Sequence, residues 1–127
     1  MAGVSIKENA VLGDPQLQDV LRAINPRWGD LCIRVAGEVW GLPLIDQRTK
    51  ALITIAIDVV NANETGPGSP FEAHVNMALK QGATCAQIEE LLLFMCAYAG
   101  FNKVAGAFGR LNEIEAKHRS ASGGSAA

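Results

Sequence analysis

Aromatic side chains are scarce in this chain, at 6% of 127 residues, against 49% hydrophobic residues overall. A core must therefore be built from aliphatic groups, which suits packed helices. Charge of one sign is also missing. The formal net charge is −2 and no basic run stands out, which argues against nucleic acid or an anionic membrane surface as partner. The opening MAGVSIKENAV has no basic region followed by a long apolar stretch, so it does not read as a signal peptide. The longest apolar runs, Ala51–Ile57 and Leu91–Met95, are too short to span a bilayer. Three cysteines, Cys32, Cys85 and Cys96, form no CxxC pair. They read as reduced thiols, which gives a cytoplasmic localisation. With two histidines, His74 and His118, and no Cys–His spacing, ligands for a metal are too few, so none is expected. A phosphate-gripping loop and a GxSxG elbow are absent as well.

What is present is a series of helix-start signals. Asp14-Pro15 and Asn25-Pro26 each pair an N-cap with a proline at the first helical position. Asp46 precedes a long apolar run. Ser69-Pro70-Phe71-Glu72 and Thr84-Cys85-Ala86-Gln87 both read as capping boxes. These signals predict an all-α fold of about six helices, at about 15–24, 26–39, 46–62, 69–81, 84–98 and 101–118. They make up a single domain over 1–119, followed by a small, polar, disordered tail over 120–127. In the fifth helix, Ile88, Leu91, Leu92, Met95, Cys96 and Ala99 define a buried stripe, and Leu93 and Phe94 extend burial to more than one side. The third helix is β-branched enough to be a strand over Leu52–Val60. Its length, its cap and its helical neighbours favour helix. Being apolar almost all round, it should lie between helices or in a subunit interface, so a homo-oligomer is expected.

His74 is the leading candidate for chemistry, because imidazole is the side chain that titrates unperturbed near neutral pH. It falls near the fifth position of its helix, after the loop Asn63–Gly68. Glu72, two residues earlier, does not share its face and reads as a capping carboxylate. The plainer reading of His74 is a half-buried ring bonded to a backbone carbonyl. Arg48 and Lys50, in the first turns of the third helix, are either a solvated helix start or an anion clamp, with Arg48 the better clamp. Asp58 is a lone carboxylate in Ile57-Asp58-Val59, either solvated through a gap or buried and paired. Trp28 and Trp40 read as core or interface anchors. Tyr98 can hydrogen-bond a ligand, although a packed tyrosine with one satisfied hydroxyl is commoner.

Taken in order, several segments resemble the carboxymuconolactone decarboxylase family, and within it the γ-carboxymuconolactone decarboxylases. They are Ala10-Val11-Leu12-Gly13-Asp14, Glu38-Val39-Trp40-Gly41-Leu42-Pro43, Arg48-Thr49-Lys50-Ala51-Leu52-Ile53-Thr54-Ile55-Ala56, His74, Ala78, Gly82-Ala83-Thr84, Ile88-Glu89-Glu90 and Ala97-Tyr98-Ala99-Gly100-Phe101. The ordered series, not any one piece, carries the resemblance. It implies an all-helical oligomer, commonly a trimer or hexamer. It also implies a cofactor-free lyase that converts 4-carboxymuconolactone to an enol-lactone in aromatic catabolism. On that resemblance His74 is the catalytic residue, and Arg48, Lys50 and Tyr98 bind a small anionic substrate. The family's alkylhydroperoxidase branch carries a CxxC before the histidine. Here those cysteines align with Pro67 and Pro70, and that branch's glutamate with about Ala51, so thiol peroxidase chemistry lacks its nucleophiles. The loop also carries an insertion, roughly Thr65–Ser69. Two other functions stay open: another proton-transfer step on an oxygenated ring, such as isomerisation or cyclisation, or a non-catalytic oligomer that binds a small molecule.

Overall fold

The computed structural model describes residues 8–121, and among them six α-helices and no strand. The helices are α1 (Pro15–Ile24), α2 (Pro26–Trp40), α3 (Gln47–Val60), α4 (Pro70–Lys80), α5 (Cys85–Ala99) and α6 (Phe101–Ala121). The β-branched run that could have been a strand is helical in α3. Each start follows from local chemistry. The side chains of Asp14, Asn25, Asp46, Ser69 and Thr84 accept hydrogen bonds from backbone N–H groups in the first turns of α1 to α5, donors that the helices themselves cannot satisfy. At α5 the box is complete, with Gln87 reaching back to the Thr84 N–H. At α4 it is half complete. Ser69 caps Glu72 N, but the Glu72 carboxylate accepts from Gly68 N, one residue before the cap.

The backbone falls into two compact units, divided after Lys50. In the first unit α1 packs on α2. Gly29 permits the close approach, since a Cβ there would meet Arg22 Cα at 2.6 Å, a backbone atom that cannot swing away. Ala10, Val11, Ile33 and Trp40 are buried. Polar groups in this unit are satisfied: Asn9 bonds Gly37 O, Val11 N and Leu12 N, and Gln47 bridges Ala10 N and Trp40 O. Trp28, by contrast, is half exposed.

The second unit holds the rest of α3 with α4, α5 and α6. Phe71 and Val75 of α4, Ile88 and Leu92 of α5, and Val104, Ala107, Leu111 and Ile114 of α6 are among its buried side chains, at the three- and four-residue spacing of helix faces. Burying a side chain such as Phe71 contributes about 1.5–3 kcal/mol. Gly82 closes α4 at φ 98°, where Ala83 N reaches back to Ala78 O. In α3, Ala51, Ile55 and Val59 are buried, but Ile53, Ile57 and Val60 are exposed, so of the two expected settings, between helices or in a subunit interface, its own chain supplies cover on one side only. One expectation is corrected here. In α5, Leu93 and Phe94 face solvent and add nothing to the buried stripe. The tail expected from residue 120 begins inside α6 for Ser120 and Ala121; residues 122–127 lie outside those described. No helix among the described residues is long and apolar enough to cross a membrane.

Candidate active site

His74 stands in the second turn of α4, and Asp58 in the last turn of α3. The loop between them is tied to both helices. Asn63 N donates to Asp58 O at 2.8 Å, and Phe71 N donates to Asn63 O at 3.2 Å. Ala62 takes a left-handed conformation, φ 58°, to make the turn out of α3. This reversal brings the two side chains together: His74 Nδ1 lies 2.5 Å from Asp58 Oδ2. Asp58 is buried, with 7% of its side chain exposed, while His74 keeps 27%. The lone carboxylate of Ile57-Asp58-Val59 is thus the buried and paired one, and it pairs with the histidine. With Nδ1 engaged, Nε2 is the ring nitrogen left free of Asp58. A buried carboxylate holding a partly exposed imidazole is chemically able to take part in proton transfer, and equally able to tie α3 to α4.

The same loop is clasped from α6. Arg110 Nε donates to Glu64 O at 3.2 Å and Arg110 Nη2 to Glu72 Oε1 at 2.8 Å, while Lys117 Nζ meets Glu72 Oε2 at 2.5 Å. Glu72 Oε1 also accepts from Gly68 N at 2.9 Å. The hydrogen bond from Lys117 does most to hold the Glu72 carboxyl below its ordinary value; burial opposes it, and the Gly68 N–H and the Arg110 charge assist. Glu72 therefore has a structural place on the α6 side of α4, and Asp58 is the partner of His74.

The other candidates fall as follows. Arg48 is exposed in the first turn of α3 and belongs to the first unit. Lys50 donates from Nζ to Trp40 O and Leu42 O, closing the C-terminal end of α2. Tyr98 is 82% exposed on α5 and forms a tilted ring pair with Phe94, centroids 5.3 Å apart. Its ring partner is Phe94 and not His74. His118 bonds Asn76 Oδ1 through Nε2 at 2.6 Å. Cys32, Cys85 and Cys96 are free thiols. Burial, and after it the Glu115 carboxylate, pushes the Cys85 thiol up, away from the reactive thiolate. Among the described residues no group of three or more His, Cys, Asp or Glu side chains is placed to hold a metal ion. Asp58 is the residue that sequence reasoning left undecided; its signal was a carboxylate in the midst of a β-branched apolar run.

The model of the carboxymuconolactone decarboxylase family matches residues 26–113, more than half of the chain and both members of the Asp58–His74 pair. No curated protein and no solved structure matches.

Proposed function

The chain belongs to the carboxymuconolactone decarboxylase family, and from that premise we propose that it is a cofactor-independent carboxy-lyase acting on a small anionic lactone of the 4-carboxymuconolactone type, from aromatic catabolism. The observation that carries this reading is the half-exposed His74 held by a buried Asp58. Loss of CO2 from a γ-lactone acid leaves an electron pair that delocalises through the ring into the lactone carbonyl, so no cofactor sink is required. What the enzyme must add is a proton for carbon and stabilisation of the developing oxyanion. His74 is the group for the proton. On the family resemblance Arg48, exposed in the first turn of α3, is the proposed anchor for the substrate carboxylate. Lys50 is the weaker anchor, because its ammonium already serves two carbonyls.

The thiol peroxidase alternative within the family has less support. Pro67 and Pro70 stand where a CxxC would precede the histidine, and burial pushes the Cys85 thiol up, away from the thiolate. The test is incubation of the purified protein with 4-carboxymuconolactone, following enol-lactone and CO2 together. Stoichiometric release of both supports the lyase. Binding without turnover would favour the reading as a non-catalytic small-molecule-binding oligomer. In the same assay Arg48→Lys, which keeps the charge but loses the planar fork, is expected to raise KM more than it lowers kcat.

We also propose that the active form is a homo-oligomer, a trimer or hexamer. Support comes from Leu93, Phe94, Tyr98 and Phe101, which leave the outer side of α5 and the start of α6 apolar and exposed, with Phe94 at 65%. Tyr98 is then an interface residue before it is a substrate ligand. Phe94→Ser combined with Tyr98→Ser is expected to lower the mass measured by light scattering at micromolar concentration. An unchanged mass would place any interface elsewhere, and a monomeric wild type would end the proposal.

A further inference from the structure

We propose that Asp58 is the positioning residue that fixes the tautomer of His74, so that Nε2 alone exchanges protons with the substrate. This rests on the reading of His74 as the acid–base group. A carboxylate offers acceptors only. Oδ2 at 2.5 Å from Nδ1 therefore holds the hydrogen on Nδ1, in the neutral ring and in the imidazolium alike. The neutral ring then presents a lone pair at Nε2, and the charged ring presents an N–H there. Asp58 is fixed in place by the reversal that follows it, in which its own carbonyl accepts from Asn63 N. It is buried and cannot turn to solvent, whereas His74 keeps enough exposure to be reloaded from water.

The proton count closes on this arrangement. The bond from the ring carbon to the carboxylate breaks, CO2 leaves, and its electron pair enters the lactone dienolate. Imidazolium Nε2–H gives its proton to carbon. The ring becomes neutral with Nδ1–H still on Asp58, and a solvent proton restores Nε2–H. No oxidant or reductant enters. The charge count also has a consequence. An imidazolium paired with a carboxylate is neutral overall and gives little net attraction to an anionic substrate. Recognition of the substrate carboxylate must therefore come from a cation outside the pair.

The experiment is 15N–1H correlation of the histidine rings in uniformly 15N-labelled protein, with His74 assigned by comparison with His74→Asn. At alkaline pH the wild-type ring is expected as the Nδ1–H tautomer. In Asp58→Ala it should revert to the Nε2–H form that a free imidazole side chain prefers. The kcat of Asp58→Ala on 4-carboxymuconolactone is expected to fall about tenfold or more, a part of what a general acid or base supplies, with KM changed less. A wild-type ring found as the Nε2–H tautomer overturns the proposal, and needs no variant to fold. So does a tautomer that is unchanged in folded Asp58→Ala. If the tautomers behave as stated and the wild type turns over no lactone, the positioning role stands and the lyase reading fails.

Discussion

His74→Ala is expected to cut turnover by about a hundredfold or more, the lower end of what general acid–base groups contribute, and to weaken the fold at the same time. The second effect follows from the structure. Alanine removes the one donor recorded for the Asp58 carboxylate and leaves a buried charged group with its partner gone, at a cost of about 1–3 kcal/mol. Loss of activity in that variant alone would therefore be ambiguous. His74→Asn resolves it. The asparagine amide places an N–H close to where Nδ1 stood, so Asp58 keeps a donor, but nothing replaces Nε2. His74→Asn is expected to be as inactive as His74→Ala, with a urea midpoint close to wild type. Steady-state kinetics on 4-carboxymuconolactone with urea denaturation of all three proteins checks both halves. Near-wild-type turnover in folded His74→Asn would remove Nε2 from the chemistry.

That distinction shows where the sequence is legible and where it is not. The caps at Asp14, Asn25, Asp46, Ser69 and Thr84 were readable because each involves residues within one turn of chain. His74 was readable as a candidate because its side-chain chemistry is rare in this chain. Its partner was not. Asp58 and His74 lie sixteen residues apart, and their meeting depends on the reversal between α3 and α4 that the left-handed turn at Ala62 begins. Glu72 is half legible for a similar reason. Local spacing gives a capping carboxylate, and it does accept a backbone N–H at the start of α4, from Gly68; but Arg110 and Lys117, 38 and 45 residues further on, also hold it to α6. Leu93 and Phe94 mark a different limit: hydrophobicity says that a side chain should be covered, but not that its own chain covers it.

Glu72 carries the second large effect, and it is a stability effect with a defined pH dependence. Its carboxylate is buried, accepts from Gly68 N, and is paired with Lys117 and with Arg110, whose own side chain is only 13% exposed. Glu72→Ala leaves the Arg110 guanidinium with Glu113 and the Glu64 carbonyl but without its inner anion. The expected loss is about 3 kcal/mol, the lower end for breaking a buried pair from one side. Lys117→Met should cost about 0.5 kcal/mol, because that ammonium is mostly exposed. Since the Glu72 carboxyl is held below its ordinary value in the folded protein, the unfolded chain takes up the proton first as pH falls. The contribution is therefore complete above the ordinary glutamate value and is lost as pH drops through the lower, folded one. Urea denaturation of wild type and Glu72→Ala at about pH 7 and about pH 3.5 checks the sign: the gap between them should narrow on the acid side. A gap that stays constant or widens on acidification would mean that the clasp does not depend on the charge of Glu72. Because the clasped loop joins the helix of Asp58 to the helix of His74, the same variant should also speed amide hydrogen exchange at Gly68, whose N–H loses its acceptor.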